Sequence, residues 1–116
     1  MNEFAVGTFA ELASDEPYRG VVRRTFDGAG ATVTSYEFSP GASFPLHHHA
    51  SEQITLVHEG SVRMRIGKDE REFSTGGWSV VPGGVEHGVT AGPTGARITA
   101  IIIPRRESGA YEVVGS

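Results

Sequence analysis

A chain of 116 residues can build one hydrophobic core but not two, so we expect a single domain. Its net charge of −4, without a Lys/Arg cluster, argues against a nucleic-acid partner, and the absence of cysteine excludes disulfides, thiolate catalysis and cysteine-type zinc sites. The sequence begins without a basic, apolar leader, and no apolar run reaches the ~18 residues that cross a bilayer. It therefore predicts a cytoplasmic protein with no membrane partner.

The first part of the chain, residues 1–19, is expected to be an extension outside the main fold. Its one helical feature is Thr8 followed by Glu11, the spacing of a capping box, just ahead of Leu12. This predicts a helix of one or two turns.

From residue 20 to residue 104 the sequence predicts short strands separated by turns. Alternating or β-branched segments are ATVTSYEF (31–38), QITLV (53–57), VRMRI (62–66) and RITAIII (97–103). Turn-forming segments are DGAGA (27–31), GKDE (67–70), PGG (82–84) and AGPTG (91–95). About eight strands without covering helices indicate an all-β barrel or sandwich, whose mouth can hold a small ligand. Residues 105–116 are expected to be a tail, and the pairs Arg23-Arg24 and Arg105-Arg106 to be solvated strand ends.

Three consecutive histidines occur in FPLHHHASEQ, residues 44–53. Alternate residues of a strand share a face, so His47 and His49 should point one way and His48 the other. Two imidazoles on one face can chelate a divalent ion, and Gln53 and His87 could add an amide oxygen and a third imidazole. His58 is expected at the surface just before a turn.

Glycines around these histidines extend the pattern. The chain has Gly41-x5-His47-x-His49-x3-Gln53-x6-Gly60, and after a gap Gly76-x5-Pro82-x-Gly84-x2-His87. The two blocks resemble, in order and spacing, the two motifs of the cupin superfamily. Two positions differ: the first motif usually has Glu where this chain has Gln53, and the second usually ends with Asn where this chain has Ala91. Glu52 competes with Gln53 as the fourth ligand, although its strand parity is wrong unless a bulge intervenes.

The resemblance implies a double-stranded β-helix (a jelly-roll barrel) with one divalent metal ion per chain, held by His47, His49, Gln53 and His87. The ion would be iron, manganese, nickel or zinc. Many members form homodimers through N-terminal strands. Phe4, Val6 and Phe9, which have no obvious burial site within one subunit, fit a homodimer.

Three neutral imidazoles and a neutral amide would leave the charge of the ion uncompensated, which favours Lewis-acid chemistry on a small oxygenated substrate. We therefore expect a redox-neutral isomerase, cyclase or lyase. Two alternatives remain: a non-haem dioxygenase, and a cupin that binds a small molecule without turnover. The chain resembles small cupins with His-x-His-x3-Gln sites that linearise unsaturated uronates, but its last strand, RITAIIIPRR, lacks the acid of that group.

Further pocket residues follow from strand position. Tyr36 is the candidate proton-handling side chain, and Thr55, on the same face as Gln53, could bind a substrate oxygen. Phe38 and Met64 would line an apolar wall. Trp78, Phe44 and Phe73 are expected to be core residues.

Overall fold

A computed structural model describes residues 3–106 and 111–115. A short 3-10 helix, Phe9–Glu11, precedes nine strands within these ranges. The strands are β1 (Ser14–Tyr18), β2 (Val21–Asp27), β3 (Thr32–Phe38), β4 (Ser43–His48), β5 (Glu52–Ile66), β6 (Asp69–Ser74), β7 (Trp78–Val81), β8 (His87–Ile103) and β9 (Glu112–Val113). The all-β expectation is confirmed. Along residues 3–106 and 111–115, no helix is long and apolar enough to cross a membrane.

All the strands pair antiparallel in a curled sheet. One path runs β1-β2-β3-β8-β4-β9, while β5 pairs with β6, β7 and β8. Two of these strands lie outside the expected barrel limits of 20–104: β1 pairs with β2, and β9 pairs with β4. Both ends of the described chain therefore add to the sheet.

The helical prediction is confirmed. The backbone N–H of Thr8 donates to Oε2 of Glu11 over 3.4 Å, as the capping-box spacing requires, and the helix ends after a single turn. A side chain that bonds the first free N–H group stabilises a helix start, but three residues are too few for a stable helix alone.

Strand alternation places the core. On β3 the inward residues are Thr32, Thr34, Tyr36 and Phe38, each at most 7% exposed. On β5, which pairs with the other edge of β8, Val57, Val62 and Met64 point inward. The inward face carries both apolar side chains and polar ones, three histidines among them.

The prediction of a turn at AGPTG (91–95) is wrong. The chain does not reverse there, because these residues lie within the long strand β8. Gly60 of β5 pairs with Ala96 and Val62 pairs with Ala91, so residues 92–95 form a bulge opposite Ser61. Gly60 has φ +75°, and a Cβ there would collide with the carbonyl oxygen of Gly95. Glycine thus lets two long strands bend together at a point where the local sequence predicted that the strand ends.

Two further expectations need correction. Trp78 is 68% exposed rather than part of the core, because β7 turns Ser79 and Val81 inward and so turns Trp78 outward. His58 does not precede a turn: it lies within β5, half-buried, with Nε2 2.7 Å from Oγ1 of Thr99.

Phe44 is buried and Phe73 is half-buried against the core, as expected.

Candidate metal centre

Three elements bring four polar side chains together inside the barrel. His47 is on β4 and His49 just follows it, while His87 begins β8 with its Cα paired to that of His47. Gln53 enters from β5. All four are buried, with exposures of 6%, 6%, 1% and 7% respectively.

The three imidazoles share one hydrogen-bonding arrangement. Nδ1 of each lies 2.8–2.9 Å from a main-chain carbonyl oxygen two residues away: His47 with Pro45, His49 with Ser51, and His87 with Val85. A carbonyl oxygen only accepts, so each Nδ1 carries the proton and donates it. The unshared electron pair of each ring is therefore at Nε2, and the backbone fixes the ring orientation as in known metal sites.

One ligand atom from each of these histidines lies within 4.8 Å of the others. Oε1 of Gln53 lies 3.1 Å from Nε2 of His49 and 3.1 Å from Nε2 of His87. Its Nε2 donates to Oγ1 of Thr55 over 3.1 Å, which orients the oxygen toward the imidazoles. With Nδ1 protonated, three nitrogen acceptors and one oxygen acceptor converge without a donor among them. Such a set fits a divalent cation.

The protonation states agree with this arrangement. Burial, followed by the neighbouring His87, lowers the pKa of His47 to about 3. Burial also lowers the pKa of His87, and the nearby His49 adds to the effect. Both rings are therefore neutral near pH 7, the form in which imidazole binds a metal.

The structure separates these residues from the nearby alternatives. Glu52 is exposed, on the opposite face of β5 from Gln53. The His48 side chain points away from the triad, with Nε2 3.5 Å from Oε2 of Glu112. Neither is brought to the converging acceptors.

The predicted pocket residues lie in different surroundings. Thr55 is fully buried and bonded to Gln53, and the Met64 sulfur accepts a hydrogen bond from Oγ of Ser79 over 3.3 Å.

Tyr36 packs against Phe44, with ring centroids 5.8 Å apart, and Phe44 packs against His47 at 4.6 Å. Burial raises the pKa of Tyr36, so its phenol stays protonated.

Phe38 borders a cavity of about 350 Å³ with Glu37, Glu59 and Gly60. A second cavity, of about 730 Å³, is bordered by Thr25, Asp27 and Arg105 among others. The candidate ligands line neither of them.

Several residues beside the triad were not predicted from the sequence to lie near it. The ring of Tyr111, in the expected tail, lies 5.4 Å from that of His47, and its hydroxyl lies 3.2 Å from that of Tyr18. Arg23, Arg24 and Arg106 are half-buried, so the expectation of solvated strand ends holds only for Arg105. Strand parity could have identified Arg23, since it shares a face of β2 with the buried Val21.

Comparisons with known proteins identify the fold. A family model described as a cupin domain matches residues 34–102. Over 61 residues the chain is 38% identical to dimethylsulfoniopropionate lyase DddW of Ruegeria pomeroyi, a match that covers 53% of this chain and 40% of the lyase. The chain thus spans less than half the length of that relative.

Solved structures superpose over most of the chain. Oxalate decarboxylase of Bacillus subtilis has a TM-score of 0.85 at 16% identity, covering 97% of this chain and 34% of the decarboxylase. An RmlC-like cupin from Shewanella frigidimarina has a TM-score of 0.79 at 23% identity, covering 92% of this chain and 95% of its own. KdgF from Halomonas sp. has a TM-score of 0.78 at 23% identity, covering 88% and 97%. At these identities the likeness establishes the double-stranded β-helix, and together with the family model it means that this chain belongs to the cupin family.

Proposed function

We propose that this chain is a metal-dependent enzyme that carries out redox-neutral chemistry, as a lyase, isomerase or cyclase, on a small oxygenated substrate. One observation carries the proposal: each of three buried imidazoles donates Nδ1–H to a carbonyl, and the three Nε2 atoms converge with the amide oxygen of Gln53. His47, His49, Gln53 and His87 would hold the ion.

The charge of the site favours redox-neutral chemistry. The proposed ligands are three imidazoles and an amide, with no carboxylate, and no acidic side chain is among the buried polar residues of the described chain. A divalent ion bound there would polarise a substrate oxygen and stabilise negative charge that develops on it. A carboxylate ligand, which would better stabilise a higher oxidation state, is replaced by Gln53.

The surrounding residues would orient the ligands and exclude water. The Thr55 hydroxyl holds the Gln53 amide, and the Phe44 ring packs against that of His47 at 4.6 Å. Tyr36 keeps its phenolic proton because burial raises its pKa, so we assign it hydrogen-bond donation to a substrate oxygen rather than the role of a base.

Within this class a lyase is favoured by the similarity to DddW, whose name describes cleavage of dimethylsulfoniopropionate. The match covers 61 residues, so it supports the reaction type more than the substrate. Elimination next to a carbonyl or carboxyl group passes through a state with negative charge on oxygen, which a Lewis acid stabilises.

The test is an activity screen on protein loaded with zinc, manganese, nickel or iron. Proton NMR in D2O would follow 3-substituted carboxylates, keto compounds and sugars for elimination, isomerisation or hydrogen exchange, while an electrode records oxygen. Turnover that His47→Ala abolishes and His48→Ala retains would support the proposal. Oxygen uptake matched to substrate loss would replace it with a dioxygenase, and saturable binding without turnover would replace it with a binding protein.

We also propose the homodimer and a division of the chain into an extension (1–19) that adds β1 to the sheet, a barrel (20–104), and a tail (105–116) that adds β9. Phe4 and Val6 are 88% and 89% exposed, and apolar side chains this accessible suit a second copy of the chain. Light scattering after size exclusion would measure the mass, and a monomer at all concentrations would exclude the homodimer.

A further inference from the structure

A cluster of two arginines and three tyrosines lies beside the histidine triad. It contains Arg23 of β2, Arg106 after β8, and all three tyrosines of the chain, Tyr18, Tyr36 and Tyr111. The ring of Tyr111 links the two groups: it lies 5.4 Å from the His47 ring, and the guanidinium carbon of Arg106 lies 5.7 Å from its centroid. Arg106 is therefore about one aromatic ring from the candidate metal centre.

Each guanidinium has a buried N–H donor without an acceptor. Nε and Nη2 of Arg23 donate to the two carboxylate oxygens of Asp15, both over 2.9 Å, which fixes the plane of the group. Nη1 of Arg23 and Nε of Arg106 are shielded from solvent and have no hydrogen-bond partner among the described residues. A buried N–H on a charged group without a partner is costly, so the pair is suited to an acceptor that arrives with a ligand.

The two donors belong to one site. Tyr36 and Arg23 are direct partners across β2 and β3, and Arg106 lies over the neighbouring Tyr111 ring. Burial raises the pKa of Tyr36, and the charges of Arg106 and Arg23 act against that shift, as expected for a phenol near both guanidinium groups. The Arg106 main-chain N–H is bonded to Oγ1 of Thr32 over 2.9 Å, which fixes the backbone from which its side chain extends. The neighbouring Arg105 is exposed and lies 3.9 Å from Asp27, outside the cluster.

We propose that Arg23, Arg106 and Tyr36 form a carboxylate-binding subsite beside the metal centre, so that the substrate is a small acid with a second oxygen-bearing group. Asp15 neutralises one arginine, so the cluster keeps a single positive charge, which matches a monoanion better than a phosphate dianion. Planar guanidinium N–H groups also match the geometry of a carboxylate. The carboxylate-binding subsite itself does not depend on the proposed function. Only the further step, that the acid bound there also contacts the metal ion, rests on that function.

The subsite can be tested in metal-free protein, which separates it from the proposed function. The arginine Nε–H resonances of labelled protein in EDTA are followed by nitrogen-proton NMR, and that of Arg106 is assigned by its loss in Arg106→Lys. At constant ionic strength, propionate should move this resonance in a saturable way, while the neutral propionamide should leave it in place. No movement with propionate, or equal movement with both, would overturn the subsite, and tighter binding of inorganic phosphate would overturn the choice of carboxylate.

Variants locate the site. Arg23→Gln and Arg106→Gln should each weaken propionate binding by about tenfold or more, since each removes a charge-assisted hydrogen bond. Arg105→Gln is the matched control, an arginine next in sequence but outside the cluster, and should bind as the original protein does. Equal weakening by Arg105→Gln would mean that overall charge, not a built site, attracts the anion. If propionate binds as expected but no metal or turnover is found, the subsite stands and the proposed function fails.

Discussion

Thr55 accepts a hydrogen bond of 3.1 Å from Nε2 of Gln53, and this bond turns the amide oxygen of Gln53 toward the histidine triad. Thr55 was predicted to contact a substrate oxygen; in the structure its hydroxyl is engaged with Gln53. Residues that orient a ligand in this way commonly change metal affinity 10- to 100-fold when replaced.

Thr55→Val should therefore weaken metal binding by about tenfold, because it keeps the side-chain shape and removes the acceptor that holds the amide. Competition with a chromogenic chelator would measure the affinity. Thr34→Val is the control: Thr34 is equally buried, but its hydroxyl is bonded to that of Thr25 and not to a candidate ligand. Equal losses in the two variants would point to a general effect of removing a buried hydroxyl.

Replacing single histidines gives a sharper comparison, because the neighbours His47 and His48 face opposite ways. His47→Ala and His87→Ala should lose most of the bound metal, because each removes an inward Nε2, while His48→Ala should retain it, since His48 faces Glu112. Elemental analysis of protein purified from its own host gives the metal-to-chain ratio and the identity of the ion. Loss of metal from His48→Ala comparable to the other two would contradict the assignment.

The choice between Gln53 and Glu52 can be decided in the same assay. Glu52→Gln should leave metal affinity unchanged because the side chain is exposed, and Gln53→Leu should reduce it because a buried oxygen is lost. Gln53→Glu should bind divalent ions more tightly than the original, since a carboxylate adds an anionic ligand. A decrease in affinity on changing Glu52 would move the fourth ligand to that residue.

Metal removal should lower stability. An ion that binds only the folded chain at 100 times its dissociation constant adds about 2.7 kcal/mol to the free energy of unfolding. For a domain of this size this is a rise in Tm of roughly 10 °C. Calorimetry with and without EDTA would measure the shift, and His47→Ala should have none. The same Tm in both conditions would mean that the ligands do not bind an ion in solution.

Much of the fold was predictable because local rules decide it. The strands around Thr32–Phe38 and Val62–Ile66 alternate along the sequence as they do in the sheet, and the DGAGA and GKDE segments contain the turns that join paired strands. Motif spacing also anticipated which histidines come together. These features depend on neighbours along the chain and on a two-residue period.

Other features depend on partners distant in sequence. Trp78 and Val81 are both apolar, so local sequence does not say which one faces inward; the pairing of β7 with β5 decides it. Arg106 follows a predicted strand end, and only the return of the chain to Tyr111 brings an aromatic ring beneath it. The AGPTG segment has turn composition, yet pairing with β5 on both sides keeps it within one strand.

The bend shared by β5 and β8 leads to a stability prediction. Gly60 has φ +75°, and an added Cβ would collide with the backbone oxygen of Gly95, which cannot move without breaking the pairing of the two strands. Gly60→Ala should therefore reduce the free energy of unfolding by about 2 kcal/mol or more. Gly30→Ala is the control, because a Cβ at Gly30 has no neighbour within 4 Å, and it should change stability little. Urea denaturation would compare the three proteins, and a Gly60→Ala protein as stable as the Gly30→Ala one would mean that the two strands do not need glycine to bend.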